Sequence, residues 1–208
     1  MLQTQAIEPG TLDILTILMK VPELSAFQLV GGTALSLQYG HRLSVDLDLF
    51  SLKEFETQFI VTSLEKYFPN FTYRNITNPI GLFGYIGNIK VDFIKYHHYP
   101  TIETLKEIQG IRFMSTPDII AMKVNAVLKR GTKKDLWDIA ELLKYYSIKD
   151  FIDFYQQKFP SQQLLISIPQ ALTYFDDAEE TEAPVSLKGQ TWESVKKFIQ
   201  QKVRDYLR

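Results

Sequence analysis

The order of apolar and polar positions along the chain predicts a mixed first half and a helical second half. Apolar residues at helical spacing predict an opening helix over residues 11–27, and the apolar run 27–30 predicts a strand that ends at two glycines. A helix is expected from these glycines to Gly40, followed by a strand over residues 44–51, where polar and apolar positions alternate. The first 51 residues therefore read as helix, strand, glycine turn, helix and strand.

The same patterns continue through the rest of the chain. Helical spacing predicts a helix over residues 54–69, and three strand-like segments follow it, at 71–77, 81–87 and 88–96. Beyond Thr116 the pattern predicts only helices, over residues 116–130, 133–147, 149–160, 162–175 and 191–208. The acidic stretch 176–184 is expected to be a solvated loop.

This organisation predicts an α+β fold, in which a mixed β-sheet flanked by helices is followed by a C-terminal helical bundle. We place the boundary after residue 112, which gives an α/β core at 1–112 and a helical region at 113–208 packed on that core.

Composition excludes several classes of protein. The chain is 45% hydrophobic and 23% charged with a formal net charge of -1, as in an ordinary globular protein. The absence of Cys excludes disulfide scaffolds, thiol nucleophiles and thiolate metal sites. The first residues lack a secretory pattern, and no apolar run approaches the ~18 residues of a membrane span, so we expect a cytoplasmic protein that does not enter membranes.

The pattern that carries chemistry is a set of acidic side chains on two predicted strands. In the first strand, Ser44, Asp46 and Asp48 alternate with apolar residues and should share one face. Lys90 and Asp92 occupy such a face in a second strand, and pairing within one sheet would bring Asp92 alongside. Carboxylates held together repel one another unless a cation such as Mg²⁺ binds them. Asp46, Asp48 and Asp92 therefore predict a two-metal site for phosphoryl or nucleotidyl transfer.

Two further features suit a triphosphate. Gly31, Gly32 and Thr33 end a predicted strand and open a helix, where main-chain N–H groups can bind phosphate oxygens. Lys123 and Arg130 are seven residues apart on one predicted helix, so they share a face and can neutralise phosphate charge.

Each feature also has a plainer explanation when it is taken alone. An Asp-Leu-Asp strand is often only the solvated face of a sheet, and a lysine such as Lys123 is more often a solvated helix residue. Asp135 and Asp138 share a face of the next helix, yet both fit a helix start or a surface. The ordered combination of glycine turn, acidic strand and Asp92 favours catalysis.

Three strings of the sequence resemble a known family: GGTALSLQYGHRLSVDLDLF, KVDFI and TPDIIAMKVNAVLKRGTKKDLWDI. In this order they are similar to the AbiEii/AbiGii toxin family of bacterial nucleotidyltransferases, within the DNA polymerase β-like nucleotidyltransferase superfamily. The resemblance implies a nucleotidyltransferase-type sheet and the Mg²⁺-dependent transfer of a nucleoside monophosphate from a nucleoside triphosphate, with release of pyrophosphate. It also implies an abortive-infection type of toxin, a cognate antitoxin encoded alongside, and the 3′ end of tRNA as acceptor.

The resemblance further implies roles for individual residues. Its motifs imply catalytic roles for Asp46, Asp48, Asp92, Lys123 and Asp135, of which the first three would hold the metal. They imply nucleotide binding by Gly31, Gly32, Thr33, Arg42, Ser44, Lys90 and Arg130. Asp138 is the weaker match to the aspartate of the last motif.

Other functions stay open at the level of the sequence. The same residues would suit a nucleotide-binding or partner-binding relative without turnover, or an enzyme that modifies a protein or small-molecule hydroxyl. The near-neutral charge confines any contact with RNA to a local patch. The candidates for that patch are the final helix and the basic residues Lys129, Arg130, Lys133 and Lys134.

Overall fold

The computed structural model describes all 208 residues and divides the chain into two units. The sheet unit comprises Met1–Gln38, Ser44–Tyr99 and Leu105–Met114. The helical unit comprises Tyr39–Leu43, Pro100–Thr104 and Ser115–Arg208. The two short segments of the helical unit lie within the first half of the sequence, where a single boundary after residue 112 does not place them.

All of the strands belong to one mixed sheet in the sheet unit. The strands are β1 (Phe27–Val30), β2 (Leu47–Ser51), β3 (Phe71–Arg74), β4 (Gly81–Ile86), β5 (Ile89–Lys95), β6 (Lys106–Ile108) and β7 (Ile111–Phe113). Their order across the sheet is β3-β4-β5-β2-β1-β7-β6. Helices α1 (Pro9–Lys20), α2 (Gly31–Tyr39) and α3 (Thr57–Tyr67) complete the first half of the chain. The predicted α+β class is confirmed.

The central strands set the register of the acidic residues. β1 lies antiparallel to β2, and β2 lies parallel to β5. A parallel pair needs a crossover connection, which α3, β3 and β4 supply here. All four residues of β1 are buried, and β2 alternates so that Leu47 and Leu49 are buried while Asp48 is partly exposed. The core of the sheet unit therefore lies under the strands that carry the acidic side chains.

Several predicted boundaries in this half differ by three residues or more, among them the start of α3 and the end of β3, and two of the differences have a clear structural cause. The strand expected from residue 44 begins at Leu47, because Thr33 Oγ1 hydrogen-bonds the main-chain oxygen of Asp46 and holds this segment outside the sheet. The opening helix ends at Lys20, because Pro22 disfavours a helical residue before it and starts a separate 3-10 turn.

The hairpin formed by β6 and β7 was not expected. Its strands have only three residues each, and its turn consists of Gln109 and Gly110, with φ of 52° and 77°. Two consecutive residues of positive φ are the geometry of a tight hairpin turn, for which a glycine at the second position is the only sequence signal.

The helical unit contains the remaining helices. They are α4 (Thr116–Lys129), α5 (Lys133–Leu142), α6 (Ile148–Lys158), α7 (Ile168–Thr173), α8 (Asp176–Glu179) and α9 (Trp192–Leu207). The predicted helical bundle is confirmed: α4 packs on α5, α6 and α7, and α9 packs on α5, α6 and α7. Three details differ from the prediction: the helix expected to reach 147 ends at Leu142, the helix expected from 162 begins at Ile168, and α8 occupies part of the expected acidic loop.

Side-chain caps fix the starts of these helices. Ser115 rather than Thr116 caps α4, accepting a hydrogen bond from the main-chain nitrogen of Asp118. Thr132 caps α5 in the same way through the nitrogen of Asp135. None of the helices has the length and apolar character needed to cross a membrane.

Candidate active site

The sheet aligns two of the predicted carboxylates on neighbouring strands. Asp48 of β2 is in direct register with Asp92 of β5, and on its other side Asp48 pairs with Val30 of β1. Because residues in register on adjacent parallel strands project to the same face, both carboxylates lie on one side of the sheet. The third carboxylate, Asp46, is exposed just before β2 begins. We call Asp46, Asp48 and Asp92 the carboxylate edge.

Gly31 is fitted to the position of Asp48. Gly31 begins α2 immediately after β1, with φ of 69°, a conformation that side-chain-bearing residues rarely adopt. A Cβ atom at this position would lie 2.6 Å from Asp48 Oδ2. Glycine is therefore required here both by the turn and by the close approach of the carboxylate.

Asp92 is buried with one oxygen unsatisfied. The residue is 6% exposed, and its Oδ2 is hydrogen-bonded by Lys90 Nζ from the same strand. Its Oδ1 is buried and has no hydrogen-bond partner. A buried carboxylate oxygen without a donor is costly unless a ligand or water satisfies it.

The pKa of Lys90 depends on the charges of all three acids of the carboxylate edge. Partial burial lowers the pKa of Lys90, but the hydrogen bond and charge of Asp92, together with the charges of Asp48 and Asp46, outweigh it and raise the pKa above its ordinary value. Lys90 therefore stays protonated beside these acids.

The carboxylate oxygens of the carboxylate edge are suitable ligands for a hard divalent cation, although they do not form a complete coordination shell by themselves. No group of three or more His, Cys, Asp or Glu side chains is arranged to hold a metal ion. The fit rests on the aligned pair Asp48 and Asp92 and on the unsatisfied Oδ1 of Asp92, because carboxylate oxygens are what Mg²⁺ prefers. Open coordination is usual for Mg²⁺, which retains water and is completed by substrate phosphates.

Thr33 and Ser44 hold the segment that carries Asp46. Thr33 Oγ1 is hydrogen-bonded to the main-chain oxygen of Asp46 and, at 2.9 Å, to Ser44 Oγ. Ser44 also forms a single bridge with Ile7. The two residues predicted to bind nucleotide therefore organise the loop before β2, while Gly31 and Gly32 form the partly exposed first turn of α2.

Within the helical unit, the other predicted residues contact one another around Asp138. Asp138 is completely buried and receives a two-pronged contact from Arg42, with Nε to Oδ1 at 2.7 Å and Nη2 to Oδ2 at 2.9 Å. His41 Nε2 lies 2.7 Å from Oδ1, and Lys123 Nζ lies 2.7 Å from Oδ2. Lys123 also contacts Asp135, at 3.0 Å.

We call these five residues the ion cluster: His41, Arg42, Lys123, Asp135 and Asp138. Burial raises the pKa of Asp138, but the charges of Arg42 and Lys123 and the hydrogen bonds of His41 and Arg42 hold it well below its ordinary value. Burial lowers the pKa of Lys123, and the charges of Asp138 and Asp135 outweigh this and raise it. Both residues are therefore charged, and the cluster balances two acids with two cations.

These contacts change the emphasis among the predicted residues. Asp138, the weaker match in the sequence, binds both Arg42 and Lys123, whereas Asp135 binds Lys123, Thr132 and the exposed Arg130. Arg42 is 3% exposed and Lys123 is 9% exposed, and both side chains form ion pairs with carboxylates. Arg130 remains accessible, since its side chain is 69% exposed although it lies 3.5 Å from Asp135. The roles of Arg42 and Lys123 in nucleotide binding stay predictions.

Sequence reasoning missed the long-range partners in this unit. His41 and Arg42 lie almost a hundred residues before Asp138, so no local spacing predicts their pairing. Asp118 lies in the first turn of α4, where an acid is usual, and it interacts with Ser115, but it also forms a buried ion pair with Lys158 at 2.6 Å. A buried lysine has no signature in sequence other than its place on the apolar face of a helix.

Comparison with known proteins gives a consistent family match. Residues 13–205 match the family described as nucleotidyl transferase AbiEii toxin, type IV toxin–antitoxin system. An uncharacterised protein of Aquifex aeolicus (strain VF5) is 33% identical over 188 residues, which cover 87% of this chain and 88% of that protein.

Solved structures share the fold at lower identity. A protein of H. pylori described as a candidate nucleotidyltransferase superposes with a TM-score of 0.59 and 18% identity, over 97% of this chain and 99% of its own. MenT4, a nucleotidyltransferase toxin from Mycobacterium tuberculosis H37Rv, superposes with a TM-score of 0.53 and 13% identity, over 95% of this chain and 86% of its own.

Proposed function

The chain belongs to the AbiEii family of nucleotidyltransferase toxins, and from that premise we propose that its carboxylate edge transfers a nucleoside monophosphate to the 3′ end of tRNA with the help of Mg²⁺. The enzyme class follows from the family. The metal, its ligands and the acceptor are the new parts of the proposal.

The observation that carries the proposal is the register of Asp48 against Asp92, with Asp92 Oδ1 buried and unsatisfied. Asp48 and Asp92 would hold the cation from the sheet, and the exposed Asp46 would approach it from the loop. Mg²⁺ bound there supplies charge neutralisation at the triphosphate and a lower pKa for an attacking hydroxyl.

The residues around the carboxylate edge suit the remaining tasks. Gly31 and Gly32 offer the N–H groups of the first turn of α2 to phosphate oxygens, because the first four N–H groups of a helix lack internal partners. Lys90, with a side chain that is 41% exposed, keeps its proton and adds positive charge. The nucleotide-binding role predicted for Arg130 is kept as a separate part of the proposal, since its side chain is 69% exposed.

An RNA acceptor is supported by exposed cations at the turn between α4 and α5. Lys129, Arg130 and Lys134 are exposed there, whereas Lys133 is bound to main-chain oxygens of Glu179 and Thr181. Three accessible cations in one turn suit contacts with a phosphate backbone.

Incubation of the protein with each α-labelled nucleoside triphosphate, Mg²⁺ and total bacterial RNA tests the reaction. We expect label in a tRNA-sized band, and a loss of at least about 100-fold in Asp48→Asn, which removes a charge while keeping the shape. Asp153→Asn is the matched control, because Asp153 is a partly exposed carboxylate that pairs only with Lys149 along α6. Label in a protein or small molecule, with none in RNA, would contradict the acceptor.

Toxicity is the second part of the proposal and has its own test. We expect induced expression of the wild-type chain to arrest growth in bacteria, and Asp48→Asn to remove the effect. Co-expression of a cognate antitoxin should restore growth. Equal growth arrest by both forms would contradict a toxicity that depends on nucleotidyl transfer.

A further inference from the structure

Glu141 is a buried acid of the helical unit that the reaction described above does not use. Its side chain is fully buried, yet it lies one helical turn after Asp138 on α5. Lys144 Nζ contacts one of its oxygens at 2.5 Å, and Lys188 Nζ contacts the other at 2.7 Å. Lys144 is a neighbour on the same helix, whereas Lys188 comes from a distant segment.

That segment, Val185–Lys188, runs beside the backbone of Arg42, and we call it the strap. Leu43 N donates to Val185 O at 2.9 Å, and Leu187 N donates to His41 O at 3.0 Å. The resulting bridge pairs Arg42 with Ser186 in antiparallel fashion. The strap therefore forms a two-bond strand pair with residues 41–43.

The strap has few other means of staying in place. Its apolar side chains Val185 and Leu187 are 61% and 38% exposed, so burial contributes little to its position. Ser186 Oγ accepts hydrogen bonds from the main-chain nitrogens of Lys188 and Gln190, which closes the turn after the strap. The contact between Lys188 and buried Glu141 is thus its main side-chain anchor.

Two acids of α5 consequently hold the same short segment in two ways. Asp138 binds the side chains of His41 and Arg42, and Glu141 holds, through Lys188, the strand that pairs with their backbone. A two-pronged contact between a guanidinium and a carboxylate needs both partners fixed, because a displacement of about 1 Å in a positioning group can cost on the order of 100-fold in rate. Two residues, Ser44 and Val45, separate this segment from Asp46.

We propose that Glu141 and Lys188 are positioning residues for nucleotidyl transfer, because they lock the strap onto residues 41–43 and so fix Arg42 for the ion cluster. The inference deepens the proposed function and depends on it for the reaction that is measured. Neither residue is assigned a contact with substrate.

The test compares Lys188→Met with two matched variants. Lys188→Arg keeps the charge and reach, and Lys144→Met removes the other lysine of Glu141 without touching the strap. In Lys188→Met we expect hydrogen exchange at the amides of Leu43 and Leu187 to quicken about tenfold. We expect kcat to fall about tenfold while KM for the triphosphate changes little, because Lys188 is assigned no contact with the substrate. Lys188→Arg should restore both values, and Lys144→Met should leave both unchanged.

Transfer is measured in cell lysate as the total label incorporated into RNA, protein and small molecules. Failure of the tRNA acceptor can then be told apart from failure of the positioning role. Label outside RNA with the wild-type protein would contradict the tRNA acceptor alone. A wild-type kcat in Lys188→Met, or unchanged exchange at Leu43 and Leu187, would overturn the positioning role. Glu141→Gln provides a second variant should Lys188→Met not fold, and the same two readouts decide.

Discussion

The carboxylate edge and the ion cluster both place aspartates beside cationic side chains, but they differ in how fully the carboxylate oxygens are hydrogen-bonded. At the carboxylate edge, the charges of three acids act on Lys90, and Asp92 keeps an oxygen without a donor. In the ion cluster, both acids have cationic partners and Asp138 is saturated with contacts. The difference shows that aspartates in similar sequence contexts can either remain available to bind a ligand or form buried ion pairs that stabilise the fold.

This contrast predicts that substitutions in the carboxylate edge mainly reduce activity, whereas substitutions in the ion cluster reduce stability. Removing a charge from the carboxylate edge relieves repulsion, so it should affect transfer far more than folding. Removing a charge from the ion cluster leaves buried partners uncompensated, so it should affect folding directly.

The largest effect is expected for Asp138→Asn. The substitution leaves Arg42 and Lys123 buried beside a neutral amide, which should cost about 3–5 kcal/mol of unfolding free energy. For a chain of this size the midpoint of thermal unfolding should fall by roughly 10 °C. Asp153→Asn is the control on an exposed ion pair and should change stability by no more than about 0.5 kcal/mol. Equal melting temperatures for the two variants would contradict a stabilising role for the buried charge of Asp138.

Ligand binding should stabilise the protein through the carboxylate edge. With Mg²⁺ and a nucleoside triphosphate at about 100 times the dissociation constant, linkage adds about 2.7 kcal/mol to the free energy of unfolding. We expect a corresponding rise in melting temperature for the wild type and for Asp153→Asn. Asp48→Asn should show no rise, and a full rise in that variant would place the ligand elsewhere.

Gly31→Ala should damage the site more than the fold. Positive φ alone should cost alanine about 1 kcal/mol, and the added Cβ must also displace Asp48 Oδ2. Gly87→Ala is the matched control, because Gly87 has φ of 60° but no atom within 4 Å of an added Cβ. We expect similar melting temperatures for the two variants and a loss of transfer only in Gly31→Ala. Normal transfer in Gly31→Ala would show that Asp48 needs no fixed position.

The pH dependence of stability should be the smallest effect and should come from the helical unit. Burial raises the pKa of Asp135 and Asp138, but their cationic partners outweigh burial and lower the folded-state values. A lowered folded pKa gives stability that is present above the unfolded pKa, near about 4, and is lost as pH falls through the folded value. Melting temperatures measured from about pH 6 to pH 3 should therefore fall, and fall less steeply in Asp138→Asn. Parallel curves would contradict the linkage.

Much of the fold follows from local pattern. The alternation around Asp48 and Asp92 predicts both strands, since apolar residues on one face need a core. Helices α4, α5, α6 and α9 follow from their apolar spacing, whereas α8 and the start of α7 do not. The sequence does not determine that Asp48 stands opposite Asp92, because register depends on how β2 and β5 meet after a crossover.

The composition of the ion cluster could not be predicted for a related reason. The family motif matches Asp135 better than Asp138, whereas the contacts of Asp138 come from His41 and Arg42, which approach from a distant part of the chain. Glu141 and Lys188 gave no signal at all, because a buried ion pair between distant residues leaves no periodic pattern.

The rate of transfer by Asp92→Asn, measured beside its melting temperature, tests the role of the carboxylate edge most directly. Asp92 is buried with an unsatisfied oxygen, and its one contact is to the partly exposed Lys90. We expect label transfer to fall by at least about 100-fold while the melting temperature stays within a few degrees of the wild type. Transfer at the wild-type rate would contradict a reaction centred on these carboxylates.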